Sequence, residues 1–181
     1  MATGETKTTY HLVMNSADEF HPRFTGRPEI TVAKLNYSNP GFNWFMYQSI
    51  GPRYRWGGRE TWTEFDWKSF VTNPEVMTWG AYLEGTPIGY YEVELTKSRQ
   101  AKIHCIGLQE PFTGQGLGGH LVSHCIDQCW KLNPRNIILR TCSHDHPHAL
   151  PNYLKRGFQL TKTTTDSANP IWTSKLFMGF K

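Results

Sequence analysis

Three stretches of this chain carry residue types that can do chemistry. The first is residues 108–121, where glycines stand at 114, 116, 118 and 119 between a strand-like apolar run and an amphipathic helix-like one. Glycine has no Cβ, so such a turn can present successive backbone N–H groups to a ligand. The helix behind it adds its unpaired first-turn N–H groups and the positive end of its dipole. Together these make an anion site, most often one for phosphate. A Walker loop requires Lys-Ser or Lys-Thr after its last glycine, whereas Gly119 is followed by His120 and Leu121. A dinucleotide fingerprint belongs near the start of a parallel βαβ unit with an acid some 20 residues on. This loop lies two-thirds along the chain, after hairpin-like segments, and residue 138 is Ile.

The second stretch, residues 144–148, reads His-Asp-His-Pro-His. Imidazoles and carboxylates are good zinc ligands, but Pro147 interrupts the spacing, so no metal is expected. His120 and His124 stand one helical turn apart and read as a solvated helix face. The third set is cysteine: residues 105, 125, 129 and 142 all lie in apolar runs, which predicts small buried side chains in a reducing compartment.

These groups need a scaffold. Length predicts one domain, 1–181, with residues 1–28 as an N-terminal extension holding a possible edge strand at 10–14. Residues 30–35 read as a half-buried strand. Phe42, Trp44, Phe45, Met46, Tyr47 and Ile50 fit a helix, and a second helix follows Thr63 as N-cap. Between them lies a Gly-rich aromatic loop with Arg53, Tyr54, Arg55 and Trp56, read as a lid or substrate wall. Residues 77–83 and 88–95 predict a hairpin, and 101–108 the strand entering the glycine loop. A helix over about 116–132, a strand at 136–142, a short helix over 146–156 and strands from 158 and over 171–180 complete an α/β domain with a mixed sheet. Aromatics form 14% of the 181 residues, enough for both a core and an apolar cleft. The net charge of +4 is scattered without a basic run, so nucleic acid is not expected, while a polyanionic small molecule suits it. No apolar run approaches the roughly 18 residues of a membrane span, and the chain reads as cytoplasmic.

The segment Thr113-Gly-Gln-Gly-Leu-Gly118 resembles the Arg/Gln-x-x-Gly-x-Gly/Ala pyrophosphate loop of the GNAT acetyltransferases. Residues 149–158, Ala-Leu-Pro-Asn-Tyr-Leu-Lys-Arg-Gly-Phe, resemble that family's Ala-x-x-x-Tyr-x-x-x-Gly-Phe segment, at a matching separation. Pro111-Phe-x-Gly and Asp145-His-Pro further resemble a bacterial subgroup, many of whose members have no assigned substrate. The likeness covers about residues 75–160. It implies an α/β (α+β) fold with a mixed, mostly antiparallel sheet of about seven strands flanked by about four helices. It also implies acetyl-CoA as co-substrate and direct transfer to a primary amine of a small molecule or an exposed amino group. A monomer or homodimer is expected. The family's Arg or Gln is Thr113 here, which predicts a weakened grip on CoA.

Residue by residue, the resemblance assigns Thr113, Gly114, Gln115, Gly116, Leu117, Gly118 and Gly119 to the CoA pyrophosphate. Leu108 main chain is assigned to the pantetheine arm and thioester carbonyl, and Asn152 to the cofactor. Tyr153 matches the tyrosine that protonates the leaving thiolate. A base must take the amine proton, and the candidates are His104 and Glu92, with Glu94 on the same strand face as Glu92. Tyr54, Trp56 and Trp62 are the candidate acceptor wall, with Glu60, Glu64 and Asp66 as acids near a cationic amine. A catalytically silent acyl-CoA-binding module is the alternative reading.

Overall fold

The computed structural model describes residues 6–167. One seven-stranded sheet runs through it: β1 (Thr6–Met14), β2 (Ile30–Lys34), β3 (Val76–Leu83), β4 (Thr86–Leu95), β5 (Gln100–Leu108), β6 (Asn136–Cys142) and β7 (Gln159–Ser167). Its order is β2-β3-β4-β5-β6-β1-β7, and every neighbouring pair is antiparallel except β5–β6. Four α-helices flank it among the described residues: α1 (Pro40–Ile50), α2 (Glu64–Val71), α3 (Leu117–Lys131) and α4 (Ala149–Lys155).

Local chemistry accounts for most of these boundaries. Asn39 caps α1 by accepting from Phe42 N–H, with Pro40 in the first turn. Thr63 and Asp66 form a reciprocal capping box at α2. The β3–β4 hairpin turns through Glu84 and Gly85, both at positive φ (48° and 82°), the two-residue geometry that follows strand twist.

The sheet separates two cores. On one face Met46, Tyr47, Ile50, Trp67 and Val71 of α1 and α2 pack on Tyr90 and Cys105. On the other, Leu117, Leu121, Val122, Cys125, Ile126 and Cys129 of α3 pack on Tyr91, Val93 and Ile103, joined by Tyr153 and Phe158. Adjacent residues Tyr90 and Tyr91 thus serve opposite cores, as strand alternation requires.

Two expectations change. The segment expected at a sheet edge is instead β1, inserted between β6 and β7 and antiparallel to both. Its alternation of buried Leu12 and Met14 suits one covered face and was too short a signal to show two strand partners. His120 and His124 are half-buried rather than fully solvated: Thr25 N–H donates to His120 Nδ1 (3.3 Å), and His124 Nδ1 bonds the Tyr91 hydroxyl (2.8 Å). Residues 171–180, expected as a last strand, lie outside the described residues.

Candidate active site

β5 and β6 pair only from Gln100–Ile103 against Asn136–Leu139, although β5 continues to Leu108 and β6 to Cys142. Beyond Ile103 the strands diverge and open a cleft of about 820 Å³. The opening coincides with a β-bulge. Glu92 pairs with Cys105 but Val93 with Ile103, so His104 is the extra residue. A bulge re-aims a side chain. His104 accordingly shares the α1/α2 face with its neighbour Cys105, its ring edge-on to Phe70 of α2 at 5.0 Å. At the far end of β5, Gln109 N–H donates to Ile88 O (2.8 Å). Alternation then turns the N–H and C=O of Leu108 away from β4, towards the divergent side.

The glycine loop closes one end of the cleft. Gly114 and Gly116 take left-handed φ of 76° and 78°, which a side chain would oppose. Gly116 is the N-cap of α3 and provides no side-chain bond to the first turn, leaving those N–H groups to face outward. The two side chains of the loop are occupied within it: the Thr113 hydroxyl donates to Glu110 O (2.8 Å) and the Gln115 amide to Pro111 O (2.9 Å). Gly118 faces α4, where the Asn152 amide nitrogen lies 3.8 Å from the position a Cβ would take.

The opposite wall is aromatic and pinned. Arg59, 7% exposed, places its guanidinium 4.4–5.4 Å from the rings of Phe70, Trp62, Trp67 and Tyr47. Behind it sits the fully buried Glu92, which accepts from both Arg59 terminal nitrogens (3.1 and 2.7 Å) and from Asn43 (2.7 Å). Trp56 reaches across the cleft, its indole N–H donating to Asp145 (3.1 Å). Asp145 is oriented in turn by Thr141 (2.6 Å) and Cys142 N–H (2.9 Å). An Arg53–Glu110 ion pair ties this wall to the turn before the glycine loop. The acids expected beside an acceptor do not line the cleft: Glu60 accepts from Gly58 N–H, Asp66 caps α2, and Glu64 is exposed on its first turn.

Two proton-handling groups face the cleft. Tyr153 on α4 is 8% exposed; burial first, then the Asp145 carboxylate, push its phenol well up, so it keeps its proton. His104 Nε2–H donates to Glu94 (2.6 Å), and since a carboxylate only accepts, the neutral ring has its lone pair on Nδ1. Burial is the largest influence on His104 and pulls it below the ordinary histidine value, partly opposed by Glu94. Cys105 also lines the cleft, but burial pushes its thiol up to about 12, which argues against a cysteine nucleophile. Among the described residues no three His, Cys, Asp or Glu side chains group as a metal site, and no helix is long and apolar enough to cross a membrane.

The model of the acetyltransferase (GNAT) family matches residues 43–158. The chain belongs to the GNAT family. Its fold is shared with a GCN5-related N-acetyltransferase from Sphaerobacter thermophilus (TM-score 0.66, 14% identity, 87% of this chain and 50% of that one). A GNAT-family acetyltransferase from Novosphingobium aromaticivorans is similar at TM-score 0.62 and 14% identity, over 89% of this chain and 63% of that one. The ribosomal-protein-S18-alanine N-acetyltransferase of Escherichia coli overlays at TM-score 0.54 and 18% identity, over 71% and 76%. This GNAT chain therefore spans only 63% and 50% of the two longer bacterial structures. A search of curated proteins finds no significant match.

Set against the family pattern, the GNAT motif residues converge: Leu108, Thr113, Gly114, Gly116, Gly118, Gly119, Asn152 and Tyr153 all line one cleft with His104, Tyr54, Trp56 and Trp62. Gln115 and Leu117 support the loop from outside that lining, and Leu117 is buried under α3. Glu92 does not reach the cleft, because Arg59 covers it. Arg59, Arg23 and Arg156 were given no role from sequence, and Asp145 only a place in a motif. Of these, only Asp145 carried a signal, in its Asp-His-Pro context.

Proposed function

We propose that this protein is an acetyl-CoA-dependent N-acetyltransferase acting on a primary amine of a small molecule or an exposed amino group. The observation that carries this reading is the convergence of the phosphate loop, the divergent β5–β6 edges and the Tyr153 side chain in one cleft. The residues fit the carrier. Outward N–H groups of the loop and α3 suit the pyrophosphate. The free edge of β5 suits the amides of the pantetheine arm, and Leu108 N–H on that edge suits a thioester oxygen that gains charge during attack.

The cleft also divides the proton work. His104 Nδ1 takes the amine proton, and Glu94 holds the ring and balances the charge it gains. The amine nitrogen bonds to the acetyl carbon as the carbon–sulfur bond breaks, and the phenol proton of Tyr153 passes to the leaving sulfur. Glu92, closed behind Arg59, has no part in this route. Tyr54, Trp56 and Trp62 form the wall along which the acceptor enters.

Release of free thiol over a panel of primary amines tests the activity, alongside titration calorimetry with acetyl-CoA. Turnover of at least one amine supports the enzyme. Tight acetyl-CoA binding with no amine consumed would make the protein a silent binding module, and no binding at millimolar ligand would remove both readings.

A further inference from the structure

The loop has no side-chain cation of its own, and the structure brings two from elsewhere. Arg156 follows α4 and is 8% exposed, yet its buried Nε has no hydrogen-bond partner among the described residues. Its Nη1 lies 3.2 Å from the point a Cβ on Gly119 would occupy, over the first turn of α3. Arg23 arrives at the same point from the N-terminal segment, with its Cδ at 3.3 Å. Both side chains line the cleft, and among the described residues neither is paired with a carboxylate.

The backbones behind them are fixed. Arg23 N–H donates to the buried Ser123 hydroxyl (2.8 Å), and Arg156 C=O accepts from His21 N–H (3.1 Å). The Arg156 guanidinium and the stem of the exposed Arg23 therefore meet over one helix N-terminus, where like charges repel and the burial of Arg156 is costly unless an anion joins them. Burial, and secondarily Arg23, already hold Arg156 below the usual arginine range. Arginine matches phosphate geometry with two parallel N–H donors, so this is a strong form of anion recognition.

We infer that Arg156 and Arg23 are the side-chain half of the phosphate cradle, binding a phosphate of CoA in place of the cation that the loop lacks at Thr113. The inference rests on the proposed use of acetyl-CoA. It also explains Gly119 separately from the turn glycines: a methyl group there would meet both arginines.

Calorimetric titration of the full chain with CoA, dephospho-CoA and pantetheine, for wild type, Arg23→Gln and Arg156→Gln, provides the test. Each substitution is expected to weaken CoA by about ten-fold, with a shallower salt dependence, and to leave pantetheine unchanged. An equal loss with dephospho-CoA assigns the pair to the pyrophosphate; a loss confined to CoA assigns it to the 3′-phosphate. Both outcomes support the site. If Arg156→Gln lowers the melting temperature, Arg23→Gln carries the test, because that side chain is exposed. Wild-type binding that neither substitution alters would overturn the inference alone, whereas absent wild-type CoA binding would overturn the proposed function with it.

Discussion

The two walls of the cleft are built on opposite rules. On the carrier side, backbone groups and cations are left unspent: the first turn of α3 has no side-chain cap, β5 turns an unpaired edge to the opening, and Arg156 keeps a free Nε. On the aromatic side the charged groups and the Trp56 indole are satisfied internally, with Arg59 against Glu92, Trp56 on Asp145 and Glu60 on Gly58, while Asn43 Oδ1 and the Tyr90 hydroxyl are buried without a partner among the described residues. Unsatisfied buried groups are costly, and those beside the opening, Arg156 Nε and the first-turn N–H groups of α3, are where a polar ligand can complete the structure. The aromatic wall offers shape and ring faces. Its internal bonds serve the fold.

That contrast predicts how damage divides between activity and stability. The largest loss of turnover is expected from Tyr153→Phe, about 10²–10⁴-fold in kcat with acetyl-CoA affinity retained. Thiol-release kinetics beside calorimetry measure this, and unchanged kcat would move the acid elsewhere. On the aromatic wall, Arg59→Leu strands the buried Glu92 carboxylate and is expected to cost about 3–5 kcal/mol of stability, read by denaturant unfolding. A cost near zero would mean that the cage is not holding the loop.

A pH profile sharpens the carrier-side chemistry. His104 works as a base only when neutral, so kcat/KM is expected to fall as pH drops through a value below the ordinary 6.5 of histidine. Glu94 raises that value, so Glu94→Gln should slow the reaction and shift the acid limb to lower pH. A limb that Glu94→Gln leaves in place would assign the titration to another group. The smallest effect is Trp56→Phe, which removes one bond to an Asp145 still held by two others. About 1 kcal/mol of stability is expected, with CoA affinity unchanged.

The same asymmetry decides what could be read from the sequence. The carrier wall depends on glycine spacing, a strand running into a helix and Tyr153 at a fixed distance, all local patterns. The hairpin, the α2 capping box and the apolar stripe of α3 are equally local. The aromatic wall depends on long-range pairs: Arg59 with Glu92 and Trp56 with Asp145 are joined only once the sheet has formed. Strand alternation put Glu92 and Glu94 on one face, and they share it. It could not show that Arg59 closes over one carboxylate and not the other. Nor does periodicity announce a bulge, so the feature that aims His104 left no trace in residue types. Arg23 was hidden for a related reason, since nothing in a turn-rich stretch says which helix it will cross.

The place of β1 has a consequence for how the chain assembles. Among the described strands β1 leaves the ribosome first, but both of its partners lie beyond residue 135. Until β6 and β7 are synthesised, its hydrogen-bonding edges face only solvent or the wrong strands. Closing so large a loop is entropically expensive and slow, and an orphan strand is a template for misassociation. Among the described strands β7, in turn, joins the sheet only through β1. The earliest of the described strands is therefore the last to find its place, and it locks the final described strand as it docks.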